Sequence, residues 1–346
     1  MKKRILDLLA CPECKGALSL RAEHAVGEDI VVGNLSCACG NNYRITNSVP
    51  RFVESDTYAT SFSYEWTRFK MIQLDSANKS GETMTGFKSI TEINPPELTG
   101  GVILDAGCGT GRYIEVVAPH AREIFGVDLS ESVESAQELV GKRGNVHIIQ
   151  ADINKLPFKD STFDGIYSIG VLHHTPDTRT SFHKLPPLLK PGGWIAIWVY
   201  TKKGLLKTIE RPFYNFYRFF TTRLPLDVVL KLAYISVPLW YVYKVFPPIY
   251  VIVPFGRHPD WKHRVLDTFD AYTPRYTHQH TPEEVTGWFK EAGLSDIKVT
   301  LGGDGGKGKR LDLRPIGLGV ITLTLENIGV KGKKTKDTVK NNAKQR

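Results

Sequence analysis

The chain has 346 residues, enough for about two domains at roughly 150 residues each. Hydrophobic residues make up 41% and charged residues 23%, which excludes wholesale disorder, a collagen-like repeat and a disulfide-stapled mini-protein. The net charge of +9 is uneven: from Lys331 to Arg346 seven basic residues face one acidic residue, so the rest of the chain carries only +3. A basic tail is a weaker nucleic-acid signal than a basic face.

Four of the five cysteines fall in the first forty residues, which argues against an extracellular disulfide framework. The opening Met1-Lys2-Lys3-Arg4 and Ile5-Leu6-Asp7-Leu8-Leu9 imitates a lipoprotein signal, but the apolar stretch is short and Asp7 interrupts it. No run of about 18 uncharged apolar residues occurs, so no membrane-spanning helix is expected. The expected setting is a reducing cytoplasm.

In chain order, residues 1–54 form a cysteine-bearing unit. Cys11-Pro12-Glu13-Cys14 and Cys37-Ala38-Cys39-Gly40 supply two close pairs, and Cys11, Cys14, Cys37 and Cys39 together suit a tetrahedral structural Zn site. The second pair is Cys-x-Cys rather than Cys-x-x-Cys, which strains that geometry. An empty ribbon kept for packing and a reversible disulfide are the competing readings. No open coordination position is implied, so the metal has no catalytic part. The flanking Ile5 to Pro12, Tyr43-Arg44-Ile45 and Val49-Pro50-Arg51-Phe52 resemble the small zinc-ribbon protein that activates tRNA and protein methyltransferases, and its fused form at the front of bacterial methyltransferases.

Residues 55–97 read as a connector anchored by Tyr64, Trp66 and Phe69. From Gly101 the texture becomes βα alternation. Strands are expected at Val102 to Asp105, Glu123 to Asp128, Asn145 to Gln150, Phe163 to Ser168 and Gly193 to Tyr200. Helices are expected near Tyr113 to Ala118 and Ser130 to Val140. Short apolar strands between helical spacers argue for an α/β doubly wound, mostly parallel sheet. Residues 205–256 break the rhythm with an aromatic and proline-rich insertion. It resumes with a helix from Pro282 to Ala292, marked by a Thr281/Glu284 capping box, and with strands near Ile297 to Thr300 and Gly319 to Leu325. The core domain is thus 98–204 with 257–328, and 329–346 is read as a basic disordered tail.

Asp105-Ala106-Gly107-Cys108-Gly109-Thr110-Gly111 carries the main functional signal. Glycines after a buried strand let the backbone turn tightly and approach a ligand, and the next helix presents its N-terminus there. Asp128 ends the second strand, placed to accept hydrogen bonds from ribose hydroxyls; Asp152 follows the third, within reach of an adenine amino group. The Gly-x-Gly-x-Gly spacing argues against a dehydrogenase. With Val127-Asp128-Leu129-Ser130, Gln150-Ala151-Asp152, Leu156-Pro157-Phe158, Gly170-Val-Leu-His-His-Thr-Pro-Asp177 and Leu189-Lys-Pro-Gly-Gly193, the turn resembles the class I S-adenosylmethionine-dependent methyltransferases over roughly residues 100 to 200. The resemblance implies a seven-stranded sheet with helices on both faces and an antiparallel last strand. It also implies that Asp105, Gly107, Gly109, Gly111, Asp128, Leu129, Asp152, Ile153 and Gly170 bind S-adenosyl-L-methionine.

A sulfonium methyl is already activated, so the protein mainly aligns donor and acceptor, and a hydroxyl or carbon acceptor also needs a base. His173 and His174 stand where such sheets bind ligands, although a structural or gating role is the stronger reading for the pair. Tyr272, Arg275, Tyr276, His278 and His280 crowd ahead of the capped helix. His174, Tyr272 and His280 are taken as the catalytic candidates, with bracing of the returning chain as the plain alternative.

The insertion opens with Arg211 to Phe220, six aromatics interleaved with two arginines. It reads as a cover over a hydrophobic acceptor pocket, an element resting on a membrane surface, or a base-stacking platform for RNA, in that order. It is expected to fold over the sheet edge beside Gly170 and His174, with Tyr272, His278 and His280 on the pocket wall. The whole chain also resembles bacterial methyltransferases associated with cell-surface polysaccharide assembly. The expectation is methyl transfer to a small-molecule, lipid-linked or glycan acceptor, with peripheral contact at the inner face of a membrane. An rRNA or tRNA methyltransferase, and a non-catalytic ribbon module, are the alternatives; the Asn/Asp-Pro-Pro-Tyr type motif of base methylation is absent after the fourth strand, at Ser168 to His173.

Overall fold

The computed structural model describes residues 1–54, 58–202, 205–301, 310–312, 320–322 and 328–335. Its centre is a seven-stranded sheet. Five strands run parallel: β5 (Val102–Ala106), β6 (Glu123–Asp128), β7 (Val146–Gln150), β8 (Phe163–Ile169) and β9 (Leu189–Val199). Two more, β10 (Leu294–Leu301) and β13 (Ile328–Lys334), complete the order β10-β13-β9-β8-β5-β6-β7, with β13 antiparallel to both neighbours. All five residues of β5 and of β7 are buried, as expected for parallel strands covered on both faces. Strand order reverses between β5 and β8, and in such sheets ligands bind where the carboxyl ends open at that reversal.

The ribbon is a four-stranded antiparallel sheet of β1 (Leu18–Val26), β2 (Asp29–Cys37), β3 (Asn42–Thr46) and β4 (Val49–Pro50). It covers the free edge of β7. Arg51 bridges to Gln150, the Phe52 N–H donates to the Gln150 carbonyl at 2.8 Å, and Ala10 N–H donates to Pro157 O at 3.0 Å. Ile5, Leu9, Leu35 and Ile45 share one core with Phe125, Ile149 and Phe158 of the main sheet.

Residues 55–97 are more than a connector. Their described part folds into α1 (Thr60–Arg68), α2 (Asp75–Asn78) and α3 (Glu82–Thr91). Phe87 of α3 is buried in the core that also holds Tyr113 and Tyr167, and Ile90 of the same helix is buried too. The reading of 329–346 as a tail is corrected at its start: residues 328–334 form β13, paired with β9 from Ile328↔Val199 to Lys333↔Trp194. Ile328 and Val330 alternate into the core and Gly332 lies under Phe289, while the lysines between them gave the segment its tail-like composition. The late strand expected at Gly319 to Leu325 is described only at β12 (Val320–Thr322), which pairs with β11 (Arg310–Asp312) outside the main sheet. The rest of that stretch, and 336–346, lie outside the described residues.

The insertion is helical: α7 (Leu205–Thr221), α8 (Leu226–Ala233), α9 (Ser236–Val245) and α10 (Ile249–Ile252). It packs on α11 (Trp261–Tyr272): the Tyr214 hydroxyl and Arg218 Nη1 donate to Ala271 O, and Thr221 Oγ1 donates to Tyr272 O at 2.8 Å. Leu226–Val245 is long and apolar enough to cross a membrane by length and composition, which the sequence reading missed because charges punctuate it. Here it is two helices of 8 and 10 residues, each well short of the ~20 that a bilayer demands.

Candidate active site

The glycine turn links β5 to α4 (Arg112–Val117). Gly107 and Gly111 have φ of +94° and +88°, where side-chain-bearing residues are strained, and a Cβ on Gly107 would stand 2.3 Å from Val171. Asp128 ties the turn down. Its Oδ2 accepts the Gly109 N–H at 2.8 Å, and its Oδ1 accepts the Ser130 N–H and hydroxyl at 2.9 and 2.6 Å.

A cavity of about 480 Å³ opens over this turn, within the usual range for small-ligand sites. Gly107, Gly109, Asp128, Leu129, Ile153 and Gly170 line it, so six of the nine cofactor candidates converge. The other three do not reach its wall. Gly111 is the N-cap of α4. Asp152 Oδ1 already accepts the Asn154 N–H at 2.8 Å and the Tyr58 hydroxyl at 3.4 Å. Asp105 is 1% exposed beneath the turn, and burial pushes its carboxyl up to about 8.

The remaining wall comes from α1, α3 and α11 and from the ends of β8 and β9: Phe62, Glu65, Trp66, His174, Trp198, Tyr200, Asp267 and Asp270. None of the described insertion residues lines this cavity, so the expected cover is corrected. The helices of the former connector, with α11, close the site, and the insertion is a second layer behind α11. It does line a neighbouring cavity of about 310 Å³ that shares Tyr200, His258 and Asp267 with the first.

His174 is the one catalytic candidate found on the cavity wall. Its Nδ1 lies 2.9 Å from the Tyr276 carbonyl, so that nitrogen carries the proton and Nε2 the lone pair. Burial lowers its pKa to about 4, which makes it a neutral hydrogen-bonding group and a weak base. His173 is fully buried, with its ring centroid 3.8 Å from that of Tyr200. The segment ahead of α12 (Pro282–Glu291) does return to the sheet edge: His280 bridges Thr201, and the His278 N–H donates to the His173 carbonyl. Yet Tyr272 and His280 do not reach the cavity and are corrected as catalytic candidates. The Tyr272 hydroxyl donates to Pro254 O inside the helical cap, and His280 packs on Trp288 with Nδ1 3.4 Å from Glu284. His278 also lies off the wall.

Sequence reading missed Glu65, Asp267 and Asp270. Glu65 is buried, Asp267 and Asp270 sit at i, i+3 on α11, and burial raises Asp270 to about 6. The signal available was Asp267-Thr-Phe-Asp270, two acids on one helical face beside buried Phe269.

Among the described residues, two side-chain clusters resemble metal sites. The donor atoms of Glu82, His258 and His263 lie within 4.8 Å of one another. The Asp260 N–H donates to His258 Nδ1 at 3.1 Å, which puts the ring proton on Nε2, 3.3 Å from Glu82. A cation at Nε2 would need the opposite tautomer, so this is a hydrogen-bonded cluster. The four ribbon sulfurs do fit a metal. Cys11 and Cys39 are 3.7 Å apart, Cys14 and Cys37 3.4 Å, against the ~3.8 Å edge of a tetrahedral zinc–thiolate site. The Tyr43 hydroxyl, 3.2 Å from Cys11, and Asn41 Nδ2, 3.3 Å from Cys39, are placed to donate to thiolates. Burial opposes ionisation of Cys11, yet hydrogen bonds from Tyr43 and nearby backbone bring it down to about 6.

Comparison with known proteins agrees with this geometry: residues 104–197 match the family described as the methyltransferase domain. Residues 104–197 thus match a methyltransferase domain, carried on the Rossmann-like sheet described above. The chain is similar to the O-methyltransferase resE of Aspergillus sclerotiorum, 40% identical over 28% of this chain and 38% of that protein. It is also similar to 24-methylenesterol C-methyltransferase 3 of Arabidopsis thaliana, 28% identical over 45% of this chain and 46% of that one. The chain thus spans less than half the length of these relatives. Among solved structures, the complex between the Haloferax volcanii Trm112 methyltransferase activator and a methyltransferase aligns with 79% of this chain and 97% of that chain, at 15% identity and a TM-score of 0.45.

Proposed function

We propose that the chain is an S-adenosylmethionine-dependent methyltransferase whose acceptor is a polar group, free or carried on a lipid or glycan. The observation that carries this reading is one cavity joining the Asp128-braced glycine turn to the wall of Glu65, Tyr200, Asp267 and Asp270. The residues fit the cofactor: positive-φ glycines leave room for it, and Asp128 and the backbone at Gly170 flank the space. The bound cofactor would supply an activated methyl group; the chain aligns the acceptor with it and excludes water. The carboxyl-rich wall opposes a phosphodiester, which weighs against an RNA acceptor.

In the same reading a structural zinc is held by Cys11, Cys14, Cys37 and Cys39 and takes no part in the chemistry, because four thiolates close its coordination. The chain sits peripherally at the cytoplasmic face of a membrane, with α7 as its contact, a placement supported by the exposed aromatic face of that helix.

Titration calorimetry with S-adenosylmethionine tests the core of the proposal. Asp128→Ala removes charge-assisted hydrogen bonds from the turn and should weaken binding by about 1–3 kcal/mol. Unchanged affinity in the variant, or no binding by the parent protein, refutes the cofactor assignment.

A further inference from the structure

We propose that Glu65 and Asp270 form the acceptor-binding end of the cavity, selecting a neutral hydroxyl group whose proton Asp270 takes as the methyl group is transferred. The inference rests on the methyltransferase reading above and names the acceptor chemistry of that same site.

The two acids are brought together by helix packing. The Tyr64 ring of α1 stacks on the Phe269 ring of α11 with centroids 5.6 Å apart, and the next residues, Glu65 and Asp270, both line the cavity, Asp270 near enough to raise the Glu65 carboxyl. Glu65 is 1% exposed, and its Oε2 has no hydrogen-bond partner. Leaving a buried polar atom unpaired costs about 1–3 kcal/mol, so a partner arriving in the cavity is strongly favoured. The nearby cations are already engaged. Arg112 Nη1 donates to Gln73 at 2.7 Å and Nη2 to the Tyr113 hydroxyl, while Arg218 Nη1 donates to Ala271 O at 2.8 Å. Among the described residues, an anionic acceptor would therefore meet the carboxyls beside guanidinium groups whose N–H donors are already bonded.

The protonation states separate the roles. Burial, reinforced by Asp270 and Asp267, holds the Glu65 carboxyl well above the usual range, so it keeps its proton. Asp270 is raised by burial but restrained by Arg218 and Tyr200, and at about 6 it is ionised near neutrality. A hydroxyl accepts from the Glu65 O–H and donates to the Asp270 carboxylate. An ammonium group can only donate, and a phosphate or carboxylate chiefly accepts, so neither matches both partners. In the transfer, a lone pair of the acceptor oxygen forms the new C–O bond. The C–S bond breaks with its electrons going to sulfur, and the hydroxyl proton passes to Asp270 and then to water. Positive sulfonium and negative carboxylate are neutralised together. His174 is too weak a base for this step and remains a positioning group. The adjoining cavity, lined by Arg211, Tyr214, Arg257 and Gln279, has room for further units of a larger acceptor.

The test uses the full chain, methyl-labelled S-adenosylmethionine and three matched probes: methyl glucoside, glucosamine and glucose 6-phosphate. The expected result is label in an ether of methyl glucoside, with none on the amine of glucosamine or the phosphate of glucose 6-phosphate. Asp270→Asn should lower kcat by about 100-fold or more, while Glu65→Gln, which stays neutral, should lose less than about 10-fold. S-adenosylhomocysteine affinity should stay within about twofold in both variants. Label on the amine or the phosphate, an unchanged rate in Asp270→Asn, or methylation of none of the three by cofactor-loaded protein would overturn the inference. Failure of the parent protein to bind the methyl donor would instead sink the methyltransferase reading itself.

Discussion

Asp105 was expected to contact the cofactor, and the structure buries it at 1% exposure, off the cavity wall. It is the next-to-last residue of β5, beside the glycine turn, and its Oδ2 is unpartnered. Its folded carboxyl titrates at about 8, against about 4 in an unfolded chain. Between those values the folded chain holds a proton that the unfolded chain has released. The stability tied to this group is therefore full below about pH 4 and is lost as pH rises through about 8. Asp105→Asn keeps the shape without the titration. Its Tm relative to the parent protein should rise as pH goes from about 5 to 8. Denaturation scans giving the same difference at both ends would show that Asp105 is not a buried protonated acid. Asp128, whose oxygens tie down Gly109 and Ser130, was by contrast legible in place, because a carboxylate after the second strand can hardly avoid the turn. Glu65 and Asp270 were not, because their chemistry comes from desolvation by helices far apart in sequence.

At the scale of elements, α7 has its apolar face outward. Ile209, Phe213, Phe216 and Phe220 follow a three-to-four-residue spacing and are 39–60% exposed, while Tyr214 and Arg218 face α11. Residues 205–256 carry six basic and two acidic side chains, and one of the acids, Glu210, is buried. An apolar stripe flanked by cations suits an anionic bilayer surface. The full chain should co-sediment with vesicles of phosphatidylcholine containing phosphatidylglycerol, and less with phosphatidylcholine alone. Phe216→Asp with Phe220→Asp should remove most of that binding while leaving S-adenosylmethionine affinity intact. Equal sedimentation of parent and variant would refute α7 as the contact, and concentration-dependent dimerisation lost in the variant would assign the face to a second copy. Periodicity identified the aromatic content of this helix. It could not tell which way the stripe turns, since a buried and an exposed amphipathic helix share one pattern.

For the whole molecule, the ribbon and the main sheet share a single core, joined through Leu9 and Phe158 and through Arg51 and Gln150. Damage to the ribbon should therefore be felt throughout. Protein purified under reducing conditions should contain about one zinc per chain, and Cys11→Ser should lose it. The variant should melt in one transition at lower temperature. Absence of metal with an unchanged Tm would refute a structural zinc, and a separate early transition would show that the ribbon unfolds alone.

The sequence by itself determined the parallel core, the glycine turn with Asp128, the capping box at Thr281 and Glu284, and the two cysteine pairs. Each is a local feature: a strand's apolar run, a turn's need for positive φ, a cap's hydrogen bonds three residues apart. Tertiary structure alone decided that the connector helices, not the insertion, close the cavity, and that Lys331, Lys333 and Lys334 belong to a central strand. It alone placed Glu65 of α1 and Asp270 of α11 on the wall of one cavity and left Tyr272 and His280 as packing residues. These outcomes depend on which distant elements meet and on what water they exclude. Spacing along a chain records neither, because burial and charge proximity are properties of the assembled fold.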